Sequence, residues 1–283
     1  MAFKLFDYQS SGKGVSKSAP QKKPFFKYWE IFGRKFWKLI ELNMLYVLFC
    51  IPIITFGPAT AALTHVMRKF ILEQPCFVFD EFFTAFKKNF KQSVFIGIVD
   101  VIMIVSVWIA CFQFLMNESL PDGSLVFICI MICCATLVFI MHFYIYLEIV
   151  ALNLSIGSIL KNAVFLVFLG VKRNFIALII NLAIISLIVL FLPFSVFAVI
   201  FLPLSLMCFT TTFICYPVIQ KYIVNPYYEE RGERNPELGP ITEEDIAENA
   251  VFVDRGGSEK EIKAAPKAHG KVIKYLSLTA FPH

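Results

Sequence analysis

From Asn174 to Gln220 the chain runs for 47 residues without an Asp, Glu, Lys or Arg. A helix needs about 20 consecutive apolar residues to cross a bilayer. The stretch therefore holds two crossings, and Phe191-Leu192-Pro193-Phe194 marks the turn between them. Composition points the same way. Hydrophobic residues make up 58% of the 283-residue chain and charged residues 17%, against roughly 25% charged in an ordinary soluble domain. Disorder requires low hydrophobicity and high charge, so most of this chain is not disordered. Its polar surface is also too small to cover so apolar a core in water. The fold class expected is an all-α, polytopic transmembrane helix bundle.

Three other stretches carry few or no charges. Leu42–Met67 and Gly123–Leu147 contain none, and Gln92–Met116 contains only Asp100. Between the last two, Asn117–Asp122 reads as a turn, with Asn, Ser, Pro and Asp together. Leu42–Met67 is interrupted by Pro52 and by Gly57-Pro58, so it reads as one kinked span or as a hairpin of two short ones. The basic residues decide between these. Nine Lys and Arg lie in residues 1–38, five in 68–91, three in 161–173 and nine from Lys221 onward. Positive segments stay in the cytoplasm, so an even number of crossings separates residues 1–38 from 68–91. The expectation is about six spans as three hairpins, near 38–54, 58–72, 93–116, 124–149, 175–192 and 195–219. Five spans with a re-entrant helix is the alternative, because 58–72 is short for a full crossing.

Each hairpin begins alike. An amphipathic, Phe-rich stretch, more apolar and with a weaker pattern at Ser155–Leu169 before the third, leads into a basic cluster that ends in an aromatic residue, and a span follows. The junctions are Gly33-Arg34-Lys35-Phe36, Phe86-Lys87-Lys88-Asn89-Phe90 and Val171-Lys172-Arg173-Asn174-Phe175. Phe79, Phe82, Phe83, Phe86 and Phe90 fall on one helical face, and Asp80 can cap the helix start. Phe25, Tyr28, Trp29, Phe32 and Phe36 make a similar face. These are expected to be interfacial helices, with rings at the headgroup boundary and Phe86, Lys87, Lys88, Asn89, Phe90, Lys172, Arg173 and Asn174 meeting anionic lipid or a docking partner.

Asp100, His142 and Glu148 lie inside apolar spans, and intramembrane ionisable residues are functional candidates because burying them is costly. His142 shares a face with Tyr146, four residues on. Glu148, near a span end, is expected to snorkel or to pair with Lys172. Thr64 and His65, beside the small residues Ala59, Ala61 and Ala62, read as helix packing.

Residues 1–23 read as a flexible basic arm, 24–220 as the membrane domain and 221–283 as a polar cytoplasmic tail, partly disordered. Both termini are expected in the cytoplasm, with no signal peptide. The eight cysteines show no metal-ligand spacing, and most lie in apolar runs where Cys acts as a small hydrophobe. No HExxH, phosphate loop or GxSxG is present. Glu229-Glu230-Arg231-Gly232-Glu233-Arg234 resembles an intramembrane protease motif but lacks the partner histidines. Neither an enzyme activity nor a cofactor is expected, and nothing points to nucleic acid.

Gly12-Lys13-Gly14-Val15, Phe32-Gly33-Arg34-Lys35-Phe36-Trp37-Lys38-Leu39, Ile51-Pro52-Ile53-Ile54-Thr55-Phe56-Gly57-Pro58-Ala59 and Phe82-Phe83-Thr84-Ala85-Phe86-Lys87-Lys88-Asn89-Phe90-Lys91-Gln92-Ser93 together resemble the YesL-like family of bacterial membrane proteins, a domain family of unknown function. The resemblance is strongest over about residues 10–120. It implies a Gram-positive type plasma membrane and an association with carbohydrate uptake by ABC transporters, and it supplies no catalytic residues. The expectation that follows is a non-catalytic accessory or assembly subunit, with an ABC permease or solute-binding protein as partner. The alternative is a small-solute or ion transporter in its own right, drawn from Asp100, His142, Glu148 and the repeated hairpins.

Overall fold

The computed structural model describes residues 23–116, 124–152, 154–232 and 235–238. No strand occurs among the described residues. The described residues divide into two units, one ending at Phe36 and the other beginning at Trp37. The first contains the start of helix α1 (Pro24–Cys50). Its aromatic residues form a ladder along the helix: Tyr28 stacks on Phe32 with ring centroids 6.4 Å apart, and Phe32 meets Phe36 edge-on at 5.6 Å. Phe25, Phe26 and Trp29 are exposed.

The second unit is organised around α2 (Phe56–Ile71), which packs on α3 (Val78–Met116), α4 (Ser124–Ala151) and α8 (Pro203–Ile219). Gly57, Pro58, Ala59, Ala61, Ala62, Leu63, Thr64, Val66, Met67, Phe70 and Ile71 are all buried. The small residues let neighbouring backbones approach closely. At 16 residues, α2 is about 24 Å long, shorter than a hydrocarbon core of about 30 Å.

Among the described residues, four helices are long and apolar enough to cross a membrane, at Val78–Ala110, Val126–Ala151, Val171–Leu190 and Pro203–Arg231. This is compatible with a multi-pass membrane protein. Residues 38–54 and 58–72 are not among the four. On the outer faces Ile102, Trp108, Phe127 and Phe197 are exposed, a surface suited to lipid rather than water.

The amphipathic stretches behave differently from one another. α1 and α3 run without a break from their aromatic faces into their apolar halves; in α3, residues 79–92 contain no Pro or Gly to stop the helix. Asp80 and Glu81 lie in the first turn of α3, where they complement the helix dipole. Ahead of the last pair the helix does divide. α5 (Ile156–Leu169) ends at Gly170 and α6 (Val171–Leu190) begins beyond it.

The turn at Phe191–Phe194 falls where Pro193 marks it. The segment expected as one span over 195–219 is instead split into α7 (Ser195–Phe201) and α8. Beyond α8 the helix widens into a π turn at Gln220–Val224 and continues as α9 (Asn225–Arg231). Helical backbone thus passes the boundary drawn at 220, and Ile223 and Val224 are buried. Residues 1–22 of the expected arm, the expected turn at Asn117–Asp122 and residues 239–283 of the expected tail lie outside the described residues.

Candidate functional site

Asp100 of α3 is 6% exposed and faces His142 and Tyr146 of α4. The two α4 residues are one helical turn apart and so project from one face. Tyr146 donates its hydroxyl to Asp100 Oδ2 at 2.5 Å. His142 Nε2 makes an ion-pair contact with Asp100 Oδ1. The other ring nitrogen, Nδ1, donates to the backbone oxygen of Val138 at 2.7 Å. With Nδ1 protonated, Nε2 can meet a carboxylate oxygen favourably only if one further proton is shared between the two groups. The unit is then an imidazolium facing a carboxylate, or a neutral imidazole facing a carboxylic acid. Either way it carries no net charge, which suits a site between apolar helices.

Glu148 stands apart from this cluster. It is fully buried, and neither of its carboxylate oxygens has a hydrogen-bond partner among the described residues. Asn162 of α5 is its polar neighbour. Lys172, the partner expected from the sequence, is exposed at the start of α6. The snorkelling or ion-paired Glu148 is therefore replaced by one enclosed between α4 and α5.

The junction residues divide. Lys87, Lys88, Lys172 and Arg173 are exposed, as an interfacial role needs. Lys87 Nζ sits 4.3 Å from the Phe83 ring centroid, and Arg173 donates to the Ile214 carbonyl at 3.3 Å. Asn89 and Asn174 are buried. Asn89 donates to Ala85 O in its own helix. Asn174 instead ties three elements together: it accepts from the Tyr144 hydroxyl at 2.5 Å and donates to Val167 O at 2.9 Å. Phe86 and Phe90 are half-buried and Phe82 is fully buried. Phe49 of α1 packs against Phe82 and Phe86, with ring centroids 5.4 and 5.1 Å away. Part of the aromatic face expected at the headgroups is therefore helix-packing surface.

Two polar centres escape sequence reasoning. Pro203 has no N–H, so the carbonyl of Val199 loses its helical donor. Asn43 of α1 replaces it, donating to Val199 O at 2.8 Å and Ile200 O at 2.7 Å, while its Oδ1 accepts from Ser205 N at 2.7 Å. One buried amide thus spans the break between α7 and α8. The Phe-Leu-Pro triplet at 201–203 is the sequence signal for the break, but nothing in the sequence links it to Asn43. The other centre joins Arg68 to Tyr216 and Glu237. Its members are 148 and 169 positions from Arg68, and Glu237 reads as an ordinary tail charge. Among the described residues no group of three or more His, Cys, Asp or Glu side chains could hold a metal ion.

Among the described residues, fold and site define a helical protein with four helices long and apolar enough to cross a membrane and a buried carboxylate–imidazole–phenol cluster. The profile of a family described as a protein of unknown function, DUF624, matches residues 39–111. That segment covers the later part of α1, all of α2 and α3 as far as Cys111, so it includes Asp100 but not His142. No curated protein and no solved structure matches the chain.

Proposed function

We propose that this is a non-catalytic integral protein of the plasma membrane, acting as an accessory or assembly subunit for carbohydrate ABC transport. The observation that carries the reading is the closure of Asp100 by His142 and Tyr146. Its polar atoms are turned onto neighbours rather than offered to a substrate. The cavity beside Arg68 has none of the three among its lining residues. The transport association rests on the resemblance to YesL-like proteins. The Lys and Arg in residues 1–38 and from 221 onward support a cytoplasmic location for both termini. Affinity purification from native membranes in mild detergent tests the reading. Recovery of a sugar permease or solute-binding lipoprotein supports it, and repeated recovery of this chain alone overturns it.

A small-solute or ion transporter is the second reading. Two observations favour it: the contact of His142 with Asp100 between apolar helices, and the helix broken at Leu202, since interrupted helices recur in transporters. Proton-coupled flux into proteoliposomes should then vanish in Asp100→Asn and His142→Gln. Flux unchanged by both removes this reading.

A further inference from the structure

Arg68, Tyr216 and Gln220 converge on a single carboxylate. Arg68 lies in the last turn of α2, Tyr216 on α8 and Gln220 at the start of the π turn. Arg68 Nε donates to the Tyr216 hydroxyl at 2.7 Å, and Nη2 pairs with Glu237 Oε1. The Tyr216 hydroxyl donates to Glu237 Oε2 at 2.6 Å, and Gln220 Nε2 donates to the same oxygen at 3.1 Å. The guanidinium also lies 5.3 Å from the Tyr216 ring centroid. The Arg68 and Glu237 side chains are 15% and 11% exposed. A guanidinium fork with a phenol and an amide beside it is a receptor for an oxyanion, planar or tetrahedral.

Receptor and occupant are built differently. Arg68 and Tyr216 stand on the packed helices α2 and α8. Glu237 arrives on a three-residue turn, Pro236–Leu238. Gly232 closes α9 in the left-handed conformation, φ 65°, where glycine carries no steric penalty. Asn235 then bonds to Asn225 at 3.0 Å and accepts from the Glu237 N–H at 2.9 Å. Against Arg68 and Glu237 lies a cavity of about 270 Å³ whose lining also includes Gln74, Tyr227 and Tyr228, while Tyr216 and Gln220 are reached through the position of the Glu237 carboxylate. That volume suits a small solute, being just under the usual range for drug-sized ligands of about 300–1,000 Å³.

We propose that this cavity binds a small solute bearing a phosphate or carboxylate group, with Arg68 as its anchor and Glu237 as a built-in occupant that the ligand displaces. The ligand's oxyanion takes the place of the Glu237 carboxylate on Arg68, Tyr216 and Gln220, and the rest of the solute lies against Tyr227 and Tyr228. No covalent step is involved. The site is separate from the Asp100 cluster and holds for an accessory subunit and for a transporter alike. Because the competitor belongs to the same chain, apparent affinity is lowered by the fraction of molecules in which Glu237 occupies the receptor.

The test uses the full chain in phosphatidylcholine nanodiscs, titrated with inorganic phosphate. Glu237→Gln removes the competing charge and should tighten phosphate binding about tenfold or more. Gln220→Ala in that background should weaken it several-fold, a readout that survives even if Arg68→Gln fails to fold. Equal phosphate affinity in wild type and Glu237→Gln overturns the proposal, as does indifference to Gln220→Ala. Repeating the titration in phosphatidylglycerol nanodiscs separates the two sources of the oxyanion. Unchanged phosphate affinity identifies a free solute. Loss of phosphate binding, with phosphatidylglycerol retained through purification by Glu237→Gln, identifies a lipid headgroup. Neither phosphate binding nor retained lipid in Glu237→Gln overturns the site.

Discussion

Gly57 and Gly97 bring the backbones of α2 and α3 into direct contact: a Cβ on Gly97 would lie 2.5 Å from the Cα of Gly57. A Cβ on Gly57 would strike the backbone of Ser93 and lie 2.9 Å from the Cα of Gly97. The obstruction is main chain on both sides, so no side-chain rotation relieves it. Each of Gly57→Ala and Gly97→Ala should cost about 2 kcal/mol or more as overpacking. Gly33, inside α1 with nothing within 4 Å of an added Cβ, supplies the opposite sign. Gly33→Ala should stabilise by about 0.5–1 kcal/mol through helix propensity. Thermal unfolding in detergent reads all three, and a loss of stability in all three would sink the distinction.

Asn43 satisfies both sides of the break between α7 and α8. Asn43→Ala leaves two carbonyls and one N–H without their partner, at about 1–3 kcal/mol for each buried group left unpaired. Pro203→Ala restores an N–H that can reach Val199 O, so the double variant should lose less than the sum of the two single variants. Additive losses would mean that Asn43 acts elsewhere.

The Asp100 cluster predicts strong coupling. Tyr146→Phe removes one hydrogen bond and should cost about 1–2 kcal/mol. Asp100→Asn and His142→Gln should each cost more, since each leaves a buried polar partner behind, and the double variant should be no worse than the poorer single one. A double-mutant cycle on unfolding free energy measures this. A coupling near zero would show the pair to be independent.

Gly170 predicts a rescue. A Cβ there would meet the Tyr144 hydroxyl, and the Asn174 amide is 3.3 Å away. Gly170→Ala should therefore lower the unfolding midpoint, and combining it with Tyr144→Phe should recover part of the loss. The recovery stays partial because Tyr144→Phe also removes the bond to Asn174. No recovery at all would place the strain in the Gly170 backbone rather than in the contact with Tyr144.

Much of the helical plan is legible in the sequence, because membrane-scale hydrophobicity and turn chemistry are local properties. The turn near Pro193, the helix from Ser124 and the packing role of Ala59, Ala61 and Ala62 all follow from residues close in the chain. Asp100 and His142 are each conspicuous as polar residues in apolar runs, yet their pairing depends on how α3 and α4 rotate against each other. Asn89 and Asn174 occupy matching positions in the junction motif and make unrelated contacts. Asn174 is tied to α4 and α5, which the motif does not encode, whereas Asn89 bonds within its own helix. Lys87 and Lys172 remain exposed whatever surrounds them, since a charge is the group most costly to enclose. The Arg68–Glu237 pair is illegible for a further reason: it closes over most of the membrane domain, and sequence distance conceals it.

The depth at which α2 lies has a bearing on biogenesis. Insertion machinery hands helices to lipid according to their own hydrophobicity and length. α2 is short, ends in Arg68 and Lys69 and has almost every apolar side chain covered by protein rather than exposed to lipid. Such a helix has little stable residence in a bilayer by itself. A nascent chain ending just beyond Leu72 would hold α2 without α3, α4 or α8 to cover it. Its committed placement must therefore wait for partners synthesised later, so the innermost helix of the bundle is among the last to be secured.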